Sequence, residues 1–194
     1  MKRNINYLFY TIFLVSLFAC KKQAVEVPKN EKYIQYFKAD IAGQTLDLKS
    51  SIDENRDLFR GSYTEIGFGD GTFKEMYTVN VAVPNTLLNT SIQSKLQFQL
   101  FDIKKGVYQL SNDDSYQKDF SSHIYLVTNL GMQDSKLYTT NEKKPPFNIS
   151  ITRYEKVKGS MIPFVGGKLN GVLYNVKDLK DSIVIDNGVF DVRY

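Results

Sequence analysis

The sequence contains few of the residue types that enzymes use for chemistry. It has one cysteine, one histidine and no tryptophan among 194 residues. A single cysteine cannot form an internal disulfide, and a zinc site needs Cys or several His. The net charge of +4 is too weak a footprint for nucleic acid binding. We therefore expect no metal, no cofactor, no nucleic acid partner and no catalytic residues.

The first twenty residues resemble the export signal of a bacterial lipoprotein. Lys2 and Arg3 form a basic start, and an apolar run follows over residues 7–18. A membrane-spanning helix needs about 20 apolar residues, so this shorter run is typical of a secretory signal. It ends in Leu-Phe-Ala directly before Cys20, which is similar to a lipobox. We predict a signal peptide over residues 1–19 and lipid attachment at Cys20.

The remaining chain divides into a tether and a domain. Residues 20–32 hold the lipidated cysteine and a polar, proline-containing stretch that cannot bury enough surface to fold alone. Residues 33–194 are predicted to form a single β domain. Lys21 follows Cys20. An Asp at this position would resemble a signal for retention in the inner membrane. We therefore expect an outer-membrane anchor, and the missing acidic export run favours the periplasmic face over the cell surface.

An alternation of apolar and polar residues dominates the chain from residue 33 onward. A period of two describes strands with one buried face and one wet face. It is clearest over residues 37–41, 77–83, 92–100 and 149–151. Turn residues separate these runs, and Gly43-Gln44 is one of the predicted turns.

Near the C-terminus the sequence predicts a β-hairpin. Its turn is Asn187-Gly188, because both residue types accept positive φ, and its strands cover residues 183–185 and 189–192. In total, about nine to eleven short strands without a long helical period predict an all-β fold. The expected architecture is an antiparallel β-sandwich. The alternative is a lipocalin-like β-barrel, which would enclose a ligand cavity.

Three stretches of the domain are each similar to a corresponding stretch in a known protein family. They are Phe-Lys-Ala-Asp-Ile-Ala-Gly at residues 37–43, Lys-Gly-Val-Tyr-Gln-Leu at 105–110, and the glycine-rich run 167–175 followed by 185–190. Together they resemble small Bacteroidota lipoproteins of a domain-of-unknown-function type. The resemblance implies a β-sandwich lipoprotein and adds no chemistry.

The remaining candidate residues are few. His123 alternates with Ile124 on a predicted strand, so we expect it to face solvent. Residues 53–57 begin like a calcium loop but lack its later Gly and Glu, so we interpret them as a solvated turn. The polar loop of residues 112–119 is a second candidate for calcium binding, and there too an ordinary solvated loop is favoured. Ser182 lies in Asp-Ser-Ile, which resembles the acceptor of Bacteroidota O-glycosylation. It is a candidate modification site.

Four tyrosines are candidates for stacking against a sugar: Tyr33, Tyr36, Tyr116 and Tyr125. Tyrosine is also a favoured strand residue, and that structural role is favoured here. The expected function is a non-enzymatic envelope module that contacts another protein or has a structural role in an outer-membrane assembly. The alternative is a glycan- or small-ligand-binding lipoprotein, which a concave row of tyrosines or a barrel cavity would favour.

Overall fold

A computed structural model describes residues 33–51, 58–113 and 120–193. The predicted signal peptide, Cys20 and the tether lie outside these residues. So do the calcium-like segment 53–57 and Tyr116 in the polar loop. In the described part of the chain, no helix is long and apolar enough to cross a membrane.

Eleven strands and one short helix make up the regular structure of the described residues. In chain order they are β1 (Ile34–Ile41), β2 (Gln44–Ser51), β3 (Phe59–Gly67), β4 (Phe73–Val83), α1 (Asn85–Leu88), β5 (Ser94–Phe101), β6 (Gly106–Leu110), β7 (His123–Thr128), β8 (Lys136–Thr139), β9 (Phe147–Glu155), β10 (Phe164–Asn175) and β11 (Asp178–Asp191). The predicted all-β class is confirmed.

The strands form one antiparallel sheet that curls into a half-barrel, a shape consistent with a sandwich or a barrel. The main path runs β2-β1-β11-β10-β8-β7-β5-β4-β3. The long strand β10 is the junction, because residues 164–170 pair with β9 while Tyr174 and Asn175 pair with β8. Strand β9 pairs in turn with β6. Within the described residues, β2 and β3 therefore end the path.

The inner face of the curled sheet is the hydrophobic core. Strand burial alternates as the sequence predicts: Phe37, Ala39 and Ile41 of β1 are each fully buried. Across the core, the rings of Phe98 on β5 and Phe190 on β11 lie 5.0 Å apart. Burying a side chain of this size contributes about 1.5–3 kcal/mol. Such contacts hold the two halves of the sheet together.

The predicted C-terminal hairpin is wrong, because β11 runs through Asn187-Gly188 without turning back. Asn187 does adopt positive φ, at 52°. At this point β11 has one residue more than each of its two neighbours, β1 and β10. One residue of β1 lies between Lys38 and Asp40, whereas two residues of β11 lie between their partners Val189 and Asp186. One extra residue in a continuous strand is a β-bulge, which needs the same left-handed backbone as a hairpin turn.

The first hairpin turns at Ala42 and Gly43, one residue earlier than predicted. Both residues have positive φ, at 51° and 78°. A two-residue hairpin loop requires this backbone at both central positions. Ile41 and Gln44 close the turn, and β1 and β2 pair along their whole length.

Candidate functional site

His123 is buried, so the prediction that it faces solvent is wrong. Only 4% of its surface is exposed. Its Nδ1 lies 2.9 Å from the Ser121 carbonyl oxygen, and its ring stacks on Tyr125 with centroids 6.0 Å apart. Burial lowers its pKa below the usual 6.5. The predicted alternation is correct, since Ile124 faces the core, but the outer face of β7 is covered as well.

A cavity of about 280 Å³ lies beside His123 on the outer face of the sheet. Its lining includes Gln97, Gln99, Tyr125 and Phe120. Gln97 and Gln99 belong to β5 and lie opposite Tyr125 and His123 of β7. Among the described residues that line this cavity there is neither a serine nor an aspartate. The groups that meet at His123 are therefore amides and aromatic rings.

The tyrosine candidates do not form one row. Tyr33 directly precedes β1 and Tyr36 lies on it, whereas Tyr125 lies on β7, four strands further along the sheet. The Tyr33 hydroxyl donates to the Asp191 carboxylate, and its ring meets Phe164 edge-on at 4.7 Å. Tyr33 thus fixes the point at which the chain enters the domain.

Ser182, the candidate O-glycosylation residue, lies on β11 with its side chain exposed. Its neighbour Asp181 accepts hydrogen bonds from Asn175 Nδ2 at 2.9 Å, Lys136 Nζ at 2.9 Å and the Tyr138 hydroxyl at 3.1 Å. The bonds from Asn175 and Lys136 lower the pKa of this carboxyl. Asp181 therefore ties β8, β10 and β11 together, beside an accessible serine hydroxyl.

The described residues contain no group of three or more His, Cys, Asp or Glu side chains that could hold a metal ion. In the polar loop, Asn112 Nδ2 donates to Ser121 Oγ at 2.9 Å and to the Ser122 carbonyl at 2.7 Å. Asn112 thus serves to fix the two ends of this loop against each other.

One end of the domain carries an open cavity of about 450 Å³, which we call the distal cavity. It lies at the end of β1 opposite Tyr33, beside the Ala42-Gly43 turn. Its lining combines apolar and polar side chains, among them Leu87, Leu88, Ile183, Asn89, Asp134 and Lys136. Its volume falls within the range of about 300 to 1,000 Å³ that is usual for ligand sites.

Asn129 holds the loops around the distal cavity in place. It is 6% exposed and has positive φ, at 49°. Its Oδ1 accepts from the backbone N–H groups of Ser91 at 2.9 Å and Ile92 at 3.3 Å. Its Nδ2 donates to Asp134 at 2.6 Å. One buried amide thereby links the segment after α1 to the β7–β8 turn.

The opposite end carries an open groove of about 590 Å³, which we call the entry groove. One wall is formed by Tyr63, Thr64 and Glu65 of β3, and the other by residues 160–163. Residue 163 directly precedes Phe164, whose ring contacts Tyr33. The groove therefore opens beside the point where the chain enters the domain.

A cluster of polar side chains lies at the edge of the entry groove. Glu75 accepts from the Tyr154 hydroxyl at 3.2 Å and from Lys156 Nζ at 3.1 Å. Burial opposes ionisation of Glu75, but hydrogen bonds from Tyr63 and Lys156 outweigh it and lower its pKa. Burial also raises the pKa of Tyr63 far above its usual 10. The cluster thus holds a carboxylate beside a neutral phenol.

The sequence pattern predicted neither the distal cavity nor the entry groove, because each is built from segments far apart in the chain. A local signal existed only for part of the entry groove: Glu65 and Glu75 flank a glycine-rich segment over residues 67–71 and face each other across β3 and β4. Nothing in the sequence indicated that residues 160–163 would form the second wall.

Comparison with known proteins places the domain in a family. A family described as a domain of unknown function (DUF5025) matches residues 34–193, which spans every strand from β1 to β11. No curated protein and no solved structure matches the chain. This match confirms the prediction that the domain is of a domain-of-unknown-function type. The chain therefore belongs to the DUF5025 family.

Proposed function

We propose that this chain is a lipid-anchored envelope protein whose β domain is a non-enzymatic module that binds another protein. The observation that carries the proposal is the open shape of the sheet. Among the described residues, the main path of the sheet ends in the edge strands β2 and β3, and β6 forms a further edge off this path. Edge strands present unpaired N–H and C=O groups, which other chains can pair with.

The place where the chain enters the domain decides which end of the domain lies next to the tether. A tether over residues 20–32 would reach at most about 45 Å when extended. Tyr33 lies at one end of β1, and the strand then rises about 27 Å to the Ala42-Gly43 turn. In a domain anchored through Cys20, the entry groove would therefore lie at the end from which the tether leaves and the distal cavity at the far end.

The anchor is tested by replacing Cys20 with serine. We expect the Cys20→Ser protein to lose incorporation of labelled palmitate and to leave the membrane fraction, because several acyl chains are needed for stable attachment. Ala24→Ser, in the same tether, serves as the matched control and should stay with the membranes. A Cys20→Ser protein that pellets with membranes like the wild type would refute the anchor.

The partner is tested by photocrosslinking in intact cells. A photoreactive side chain is placed at Thr64 in the entry groove, at Met132 near the distal cavity, and at Glu26 in the tether as a control. We expect a reproducible adduct from one of the two domain positions, confirmed in reverse by tagging the partner. Adducts from the control position alone, or from none, would contradict a protein-binding role.

Binding of a glycan or another small ligand is the second candidate, and the distal cavity is the observation that favours it. Asn89 lines this cavity with positive φ, at 51°. Glycine tolerates this backbone, so Asn89→Gly removes the side-chain amide without strain. Titration with neutral trisaccharides should show weaker binding to Asn89→Gly than to Asn170→Ala, an exposed position on β10. Equal affinities would exclude the cavity as the site.

A further inference from the structure

The outer edge of β3 lies along the entry groove, and the described part of the chain shows β4 as its pairing partner on the other side. We propose that an extended segment of a partner protein adds to this edge as a further antiparallel β-strand, with a basic side chain toward Glu65 and an apolar one toward Met161. This inference rests on the proposed function, because it specifies how the protein partner binds.

The hydrogen-bonding pattern shows which groups β3 presents at its outer edge. The Ala82 N–H donates to the Leu58 carbonyl at 2.7 Å, immediately before the Phe59–Val81 pair. In an antiparallel ladder, bonded residues alternate with residues whose groups point away. Thr64 therefore bonds toward β4, whereas the N–H and C=O groups of Tyr63 and Glu65 point outward. These are the residues that line the groove.

Three of the four residues in the second wall of the groove are apolar, and Ser160 is the polar one. Met161 is 88% exposed, and Ile162 and Pro163 continue this wall toward β10. A strand laid along β3 would bring alternate side chains against this wall, since successive side chains of a strand point to opposite faces. Backbone pairing and apolar contact are then available to the same extended segment.

The exposed carboxylate of Glu65 favours a basic side chain in the added strand. Its lining carries two carboxylates, Glu65 and Glu75, and one ammonium group, Lys156. Lys156 already pairs with Glu75 at 3.1 Å. Glu65 is exposed and lies directly opposite Glu75 in the β3–β4 register. A lysine or arginine in the added strand would complement this second carboxylate.

At the ends of the main sheet path, two other stretches of edge are less suited to the same role. Nearer its start, β3 approaches the C-terminal segment: a Cβ atom on Gly61 would lie 3.2 Å from the Arg193 carbonyl carbon. Along β2, the exposed side chains of Asp47 and Lys49 are of the kind that protects an edge from pairing. Of the stretches at the ends of the main path, the one over residues 63–67 is therefore favoured.

The test uses the full chain in detergent and a fluorescent seven-residue peptide of alternating lysine and valine. Two reference peptides are compared with it. One is methylated on every backbone nitrogen, so that neither of its edges can donate to a ladder, and the other has glutamate in place of lysine. We expect the lysine peptide to bind at least about tenfold more tightly than either reference, and to slow hydrogen exchange of the Tyr63 and Glu65 amides.

The matched variants place a proline on each edge. Glu65→Pro removes an outward N–H while leaving the ladder to β4 intact, and proline is tolerated at such edge positions. The two-residue Ala42-Gly43 turn makes Ile41 and Gln44 a bonded pair, so Lys49 also points outward and Lys49→Pro is the equivalent change on β2. We expect about tenfold weaker peptide binding for Glu65→Pro and unchanged binding for Lys49→Pro. Glu65→Gln should weaken binding by removing the charge alone.

Several results would overturn the inference. The methylated peptide could bind as well as the parent, or Glu65→Pro could bind like the wild type while folded. If Glu65→Pro does not fold, exchange of the wild-type Tyr63 and Glu65 amides decides, and unchanged rates with bound peptide refute strand addition. If protection of these amides depends on the concentration of the protein itself and not on the peptide, the edge pairs with a second copy of this chain. A crosslinked partner at Met132 alone would preserve the protein-binding proposal and refute this one.

Discussion

At the scale of single residues, the surroundings of a side chain decide its role more than its type does. His123 would attract attention as the one histidine in the chain, yet it is a buried ring stacked on Tyr125. Asn129 is an ordinary polar residue that holds two loops through three hydrogen bonds. Both roles depend on neighbours that only the folded chain supplies.

The burial of His123 predicts a specific pH dependence of stability. Its pKa is lower in the folded protein than the 6.5 of the unfolded chain, so the unfolded state binds the proton more readily. The stabilisation is fully present above pH 6.5 and is lost as pH falls through the folded pKa. Denaturant unfolding at pH 7 and pH 5 should show a smaller pH effect in His123→Gln. Equal losses in both proteins would contradict this.

The Ala42-Gly43 turn offers a stabilising substitution. Ala42 has φ of 51°, a conformation that costs an L-residue with a Cβ about 1–2 kcal/mol. Asparagine tolerates it better, and Asn-Gly is the favoured pair for this turn. We expect Ala42→Asn to raise the free energy of unfolding by about 0.5–1 kcal/mol. Thermal unfolding measures this, with Ala24→Asn in the tether as a control, and an unchanged or lower melting temperature would refute it.

At the scale of elements, the sequence predicted strands well and their ends less well. Alternation placed β4 and β9 correctly, because a half-buried strand must alternate wherever it pairs. The turn rule failed at Asn187-Gly188, because a bulge and a hairpin use the same left-handed backbone. What distinguishes them is whether partners lie on both sides, and β11 is flanked by β1 and β10 throughout this region. The sequence of one strand carries no such information.

The bulge makes Gly188 a position where a side chain cannot be accommodated. A Cβ atom there would lie 2.5 Å from the Leu169 carbonyl oxygen, which the β10 ladder holds in place. We expect Gly188→Ala to lower the free energy of unfolding by about 1–3 kcal/mol. Gly69→Ala, where nothing lies within 4 Å of the added carbon, is the matched control and should change little. Denaturant titration of both proteins compares them, and similar midpoints would refute the prediction.

At the scale of the whole molecule, the order of strands was beyond prediction from the sequence. Antiparallel sheets were expected, but nothing in the local pattern shows that β1 pairs with β11 or that β10 divides between two neighbours. The entry groove shows the consequence, because β3 and residues 160–163 are about a hundred residues apart in the chain and adjacent in the fold. Sites made by such long-range contacts require the folded structure.

One buried hydroxyl connects the two halves of the half-barrel. Tyr77 on β4 is fully buried and donates to the Val192 carbonyl at 2.7 Å, directly after β11. Tyr77→Phe keeps the ring but leaves this carbonyl without that donor, which costs about 1–3 kcal/mol. Tyr174→Phe removes a hydroxyl from a half-buried ring on β10 and should cost less than about 0.5 kcal/mol.

Because the Tyr77 bond joins β4 to the segment directly after β11, which lie in different halves of the sheet path, its loss should also change local opening. We expect Tyr77→Phe to speed amide hydrogen exchange in β3 and β4 more than in β10, since β3 and β4 depend on this contact to stay against the C-terminal segment. Uniform acceleration across all strands would mean that the hydroxyl contributes only to global stability. Unchanged exchange and an unchanged unfolding free energy would mean that the half-barrel is held by its apolar contacts alone.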